Sequence, residues 1–289
     1  MANTINIVSK DILCHMNKKF YSTSILKLRD KFPGFSDEDY ARFLIARDGI
    51  IEKAEEMLKA HVAWRASNLP IYKESCLGEI LKGKVYVHGT DKEGHPLVHF
   101  RPKLNDADTR DVEEMGRMAL WWCEVIFKQI PPSFSKATLL VNRTGGESNA
   151  DVPFIRLLAG VFQANHPERL YKAVIYPSGV VFWVLWNMLK HLADPVTQAK
   201  ISPVLWQSGV KDTVPDEFIP KEIGGLSEYD AEFDANKAAI VAAMPDPFPK
   251  EPAEEAAARE EGAADAEAPA ESVFNMEKMA AATGSAESS

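Results

Sequence analysis

A hydroxyl and an ammonium stand three residues apart at Thr197 and Lys200, behind an Asp194-Pro195 pair that can cap a helix and open its first turn. Near a helix start such a pair can hold a phosphate, because the free first-turn N–H groups and the helix dipole favour an anion. The histidines are less telling. His88, His95 and His99 lie close along the chain, but His88 and His95 straddle a hairpin signal and no carboxylate spacing marks them as metal ligands, so they read as surface or strand-end residues. Cys123, inside MALWWCEVIF, reads as core rather than nucleophile. No G-x-S-x-G, H-E-x-x-H, G-x-G-x-x-G or G-x-x-x-x-G-K-[ST] occurs, and Gly145-Gly146 lacks the lysine and spacing of a phosphate loop. Neither catalysis, metal nor cofactor is expected.

Thr197 and Lys200 must be positioned by their neighbours, beginning with the apolar segment Val180 to Leu192, VVFWVLWNMLKHL. Only Asn187, Lys190 and His191 make a polar side at helical spacing. Two settings suit such a helix: a buried core, or a bilayer interface on one side with a lipid on the other. It is shorter than the roughly 20 residues that cross a bilayer. Upstream, Lys84 to His88 and Pro96 to Phe100 flank a Gly89 to Gly94 turn as a hairpin, and Ala137 to Asn142 and Ala173 to Tyr176 are short apolar strands around a helix at Val152 to Ala164. Strands separated by helices predict an α/β sandwich with at least partly parallel strands.

Residues 1 to about 75 carry a helical period, with Ile51, Ala54, Leu58, His61, Val62 and Arg65 on one stripe and an N-cap signal at Ser36 and Asp39. At the other end a helix over Ala231 to Ala243 is followed by Pro245, Pro247, Pro249 and Pro252. The formal charge is −9, yet Glu251 to Ser289 alone carries ten acids against two bases, leaving 32 acids and 31 bases before it. That balance argues against a nucleic-acid partner and makes 251–289 an acidic, Ala- and Glu-rich segment expected to be disordered. Three distant cysteines predict a reduced protein without disulfides, and the N-terminus lacks a secretory pattern, so a cytoplasmic protein is expected.

Taken in order, FLIARDGIIEKAEEMLKAHVAWR (43–65), DKEGHPLV (91–98), PERLYKAVIYPSG (167–179), the apolar helix, LADPVTQAKI (192–201) and IPKEIGG (219–225) resemble the CRAL-TRIO family of yeast-type phosphatidylinositol/phosphatidylcholine transfer proteins. The resemblance implies a helical subdomain over 1–75, a lipid-binding α/β domain with a mostly parallel sheet over 76–230, and a short helix plus acidic tail over 231–289. It implies a gate helix touching membranes through Val180, Phe182, Trp183, Leu185, Trp186 and Leu189. The family's inositol-phosphate residues correspond to Arg47, Glu168, Arg169, Thr197 and Lys200. Cations and donors there would offset the desolvation of a phosphodiester, while a carboxylate accepts hydrogen bonds from inositol hydroxyls. The implied function is non-enzymatic: a soluble, peripherally membrane-associated carrier of one phosphatidylinositol, whose partners are the lipid, a transient membrane surface and a protein for the acidic tail. The alternative is a regulatory or scaffold module of the same fold that binds a protein or another hydrophobe.

Overall fold

Alternation along the strands sends neighbouring side chains to opposite faces of a sheet, and here both faces are covered. The computed structural model describes residues 5–14, 18–146, 151–192 and 195–249. The expected disordered tail over 251–289 and the Asp194 cap lie outside the described residues. Helices α1 (Lys10–Leu13), α2 (Lys18–Lys31), α3 (Asp37–Ile45), α4 (Ile51–Asn68) and α5 (Leu77–Leu81) precede the hairpin of β1 (Val85–Thr90) and β2 (Pro96–Phe100). Then follow α6 (Val112–Gln129), β3 (Ala137–Asn142), α7 (Val152–Asn165), β4 (Leu170–Tyr176), α8 (Val180–Leu189), α9 (Pro195–Lys200) and β5 (Ile201–Pro203). Two further helices, α10 (Gln207–Lys211) and α11 (Tyr229–Ala243), complete the order.

The sheet runs β1-β2-β3-β4-β5, with β1 antiparallel to β2 and the remaining neighbours parallel. It is a mixed α/β fold with a mostly parallel sheet. On one face Val98 packs with Trp121, Trp122 and Val125 of α6 and with Phe233 of α11. Its neighbour Leu97 turns to the other face, where Leu140 and Val174 meet Val210, Val214 and Ile219. Another core joins α1 to α4 through Ile12, Ile25, Tyr40, Leu44 and Leu58.

Several details depart from the sequence expectation. β5 was not expected, because its three residues follow α9 with no turn signal between them. Val62, on the stripe read from the helical period, is 42% exposed where it borders an open cleft, while Met57, off that stripe, is buried. The histidines are also corrected: His95 is buried against Asp11 of α1, and His99 is buried in a stack with Tyr86. Asp11 of α1 accepts from His95 Nε2 at 3.1 Å and from the Ser135 N–H at 2.8 Å. The IPKEIGG glycines close a tight turn. Gly224 has φ +80°, and a Cβ on Gly225 would lie 2.0 Å from the Ile219 carbonyl oxygen.

Candidate functional site

Glu168 sits in the turn between α7 and β4 at φ +55°, a left-handed conformation that few non-glycine residues adopt. Its Oε2 accepts from Lys200 Nζ at 3.1 Å and lies 3.3 Å from Lys136 Nζ. Burial alone would raise the Glu168 carboxyl, but Lys200 and Lys136 outweigh it and hold the group below the usual carboxylate range. Two ammoniums on one carboxylate leave a surplus positive charge. Thr197, half-buried, is one turn before Lys200 on α9. A cation pair, a carboxylate and a hydroxyl can together recognise a phosphate bearing a polyol.

The adjacent Arg169 points elsewhere. Its Nη1 donates to the Ser135 carbonyl at 3.0 Å, its guanidinium lies 4.6 Å from the Phe127 ring centre, and its Nη2 is 3.7 Å from Asp39. Burial is the main cause, with Arg42 adding, that brings this guanidinium down to about 9. Arg47, in the turn after α3, donates to the Ala46 carbonyl at 2.9 Å and has no carboxylate partner among the described residues. Glu168 and Lys200 are thus brought together, with Thr197 close along α9, whereas Arg169 and Arg47 are turned to other partners.

Arg169 faces a cleft of about 450 Å³ at the seam between the N-terminal helices and helices α6 and α7. The Ser36–Asp39 capping box fixes Asp39 at the start of α3, and Arg42, one turn on, pairs with it. From α4, Arg65 donates to Glu124 of α6 at 3.2 Å, and His61 meets Asn165 of α7 at 3.1 Å. His166 borders the same space. Sequence reasoning gave no site role to Lys136, Arg42, Arg65 or His166, which come from separated elements; Arg65 ends a noted block, and Arg42 and His166 each stand one residue before one.

The third feature is apolar. Val180 is 80% and Trp183 48% exposed, with Val181, Val184 and Met188 exposed beside them. Phe182 is buried, while Leu185 and Trp186 are half-buried; the Leu189 side chain lies outside the described residues. So α8 is not the buried core helix that was one of its two readings. Its start is clamped: the Ser178 N–H donates to the Val204 carbonyl at 2.8 Å, and Arg143 donates to the Pro177 carbonyl at 3.0 Å while lying over the Phe182 ring. On α7, Ile155 and Phe162 are exposed as well. Among the described residues no helix is long and apolar enough to cross a membrane, and no group of three or more His, Cys, Asp or Glu could hold a metal ion.

Comparison with known proteins bears on this geometry. Residues 81–225, half of the chain, match the CRAL/TRIO domain. The phosphatidylinositol transfer protein CSR1 of Eremothecium gossypii is 29% identical over 229 residues, covering 74% of this chain and 51% of that protein. A CRAL-TRIO domain-containing protein of Schizosaccharomyces pombe is 29% identical over 211 residues, covering 66% of this chain and 58% of that one. The crystal structure of Sfh5 superposes with a TM-score of 0.53 at 14% identity, over 78% of this chain and 99% of that chain, a likeness of fold. The chain spans about half the length of the curated relatives it matches.

Proposed function

The chain belongs to the CRAL/TRIO domain family, and from that premise we propose that it binds one phosphatidylinositol and exchanges it at membrane surfaces without chemical reaction. The observation that carries this reading is the exposed apolar helix α8 on the crossover from β4 to the parallel β5, together with the cluster in which that crossover ends, Lys200 with Glu168 and Lys136. A lipid needs both. The two ammoniums take the phosphodiester, Glu168 accepts from inositol hydroxyls, and Thr197 offers a further hydroxyl. Arg47 and Arg169, turned to other partners, stand outside this arrangement.

Acyl burial is worth about 0.8 kcal/mol per CH₂, so extraction of a lipid into water requires nearly complete enclosure of its chains. In this reading α8 is the gate: it covers the chains along the apolar side of α7 and opens at a bilayer through Val180, Phe182, Trp183, Leu185, Trp186 and Leu189. Residues 1–75 brace the lipid-binding unit over 76–230, no cofactor takes part, and the protein works in the cytoplasm and peripherally on membranes. The name of the Eremothecium relative supports the choice of phosphatidylinositol.

Native mass spectrometry of the purified protein tests the reading, with an expected mass increment of one phosphatidylinositol. Lys200→Ala should lower phosphatidylinositol loading by roughly tenfold or more, the equivalent of about 1.5–3 kcal/mol for a charge-assisted hydrogen bond, with the melting curve retained. A protein that carries no lipid and extracts none from liposomes would sink the proposal.

A further inference from the structure

The cleft at the helical seam is separate from the Glu168–Lys200 cluster and has its own charge balance. Arg42, Arg65 and Arg169 face the carboxylates of Asp39 and Glu124, and Lys128 stands at the rim with its ammonium over the Phe248 ring. Even without Lys128 the guanidiniums outnumber the carboxylates. Arg42 is only 4% exposed, so its charge is held in place largely out of water, and its ion pair with Asp39 occupies one nitrogen of a five-donor fork. Arg65 likewise gives one nitrogen to Glu124.

His166 supplies an independent observation. It is 8% exposed and borders the cleft, and its Nε2 has no hydrogen-bond partner. A buried imidazole nitrogen left without a partner carries a desolvation penalty that a ligand atom removes. Burial keeps this ring neutral, so Nε2–H can serve as a donor that needs no charge of its own. The cleft's volume of about 450 Å³ exceeds a bare oxyanion, and Phe35, Phe43 and Phe127 give it ring-sized apolar walls.

We propose that this cleft binds a phosphomonoester carried on a sugar-sized ring, with Arg42, Arg65 and Arg169 on the phosphate and His166 Nε2 donating to it. Arginine forks match phosphate oxygens in pairs, and a terminal phosphate supplies the negative charge that the carboxylates leave unmatched. The ring can arrive as a soluble sugar phosphate or as a phosphorylated lipid headgroup, and the recognised group is the same.

Two probes separate these sources on the full chain: glucose 6-phosphate by calorimetry, and phosphatidylcholine vesicles carrying phosphatidylinositol 4-phosphate by co-sedimentation. Arg65→Ala should weaken the binding by about tenfold or more, the loss of a charge-assisted hydrogen bond, while phosphatidylinositol loading stands. Lys200→Ala should do the reverse. Arg65→Lys keeps the charge and loses the fork, and carries the same expectation should the alanine variant fail to fold. Glucose 6-phosphate binding with this pattern assigns the soluble source, and vesicle binding alone with this pattern assigns the headgroup. Failure of both probes to bind overturns the inference, as does binding indifferent to Arg65 or lost equally in Lys200→Ala. A protein that loads no phosphatidylinositol yet binds glucose 6-phosphate through Arg65 would remove the carrier reading and leave the cleft intact.

Discussion

His95 shows how one residue joins distant parts of the chain. Its Nε2 donates to Asp11 and its Nδ1 to Asp91, each at 3.1 Å, and its ring stacks 3.7 Å from Tyr171. Donation from both nitrogens is the geometry of an imidazolium. Burial alone would lower His95, but the hydrogen bonds from it to Asp11 and Asp91 outweigh that and raise it from 6.5 to about 9. A group raised on folding contributes stability that is complete below the unfolded value and disappears as pH climbs through the folded one. We expect the melting-temperature gap between the parent and His95→Gln to be full below about pH 6.5 and to close as pH rises past about 9. A gap constant across that range would assign His95 a packing role only. None of this partnership was legible in the sequence, since Asp11 lies 84 positions away and the helical segment that carries it gives no sign of where it docks. Glu168 and Lys200 were placed together only through the family blocks, 32 positions apart; spacing alone linked Lys200 to Thr197.

At the scale of elements, the readable features were those with a strict period or a local stop signal. β2 and β3 appear with the expected bounds, and the α3 cap forms at Ser36 and Asp39 as their spacing predicts. α8 could not be read the same way. A helix apolar on nearly every side has no periodic stripe, so its pattern cannot distinguish a buried helix from one poised at an interface. The structure separates two kinds of residue within it: Phe182 is buried beneath Arg143, whereas Trp183 is half out. Phe182→Ala should therefore cost about 3–5 kcal/mol of stability, as for a truncated core aromatic. Trp183→Ala should leave the melt within about 1 kcal/mol, a surface-like effect, while weakening vesicle association, because an exposed indole belongs at the headgroup level of a bilayer. Melts and vesicle co-sedimentation of the two single variants decide the matter. Equal destabilisation with unchanged vesicle association would return α8 to an ordinary structural role.

Across the whole molecule, the C-terminal helix is tied back onto the body by contacts that no local pattern announces. Arg101, 2% exposed, grips Asp234 of α11 with two nitrogens at 2.9 and 2.8 Å, and the same guanidinium lies over the rings of Tyr86 and Phe233. Lys73 Nζ donates to the Met244 carbonyl at 2.6 Å and the Ala242 carbonyl at 3.2 Å, neutralising the carbonyl end of α11. Just beyond, Asp246 accepts from Trp121 Nε1 at 3.1 Å and from the Lys73 N–H at 2.9 Å, and the Pro249 carbonyl accepts from Tyr72 at 3.3 Å. Composition draws a boundary at nearly the same place, since the acidic excess begins at Glu251. These facts together fix where the chain can be shortened. Ending it after Pro249 keeps every one of these bonds, and we expect the melting temperature and lipid load to stay at the parental values. Ending it after Met244 strips the acceptor from a buried indole N–H, at about 1–3 kcal/mol, and each kcal/mol should lower the melting temperature by about 2–4 °C in a folded unit of this size. Asp246→Ala in the full chain should reproduce most of that fall, because the carboxylate rather than the length of chain is what Trp121 and Lys73 require. If the cut after Pro249 itself lowers the melting temperature, the segment from 250 onward packs on the body. If Asp246→Ala melts like the parent, the C-terminal tie resides in Arg101 and Lys73 instead.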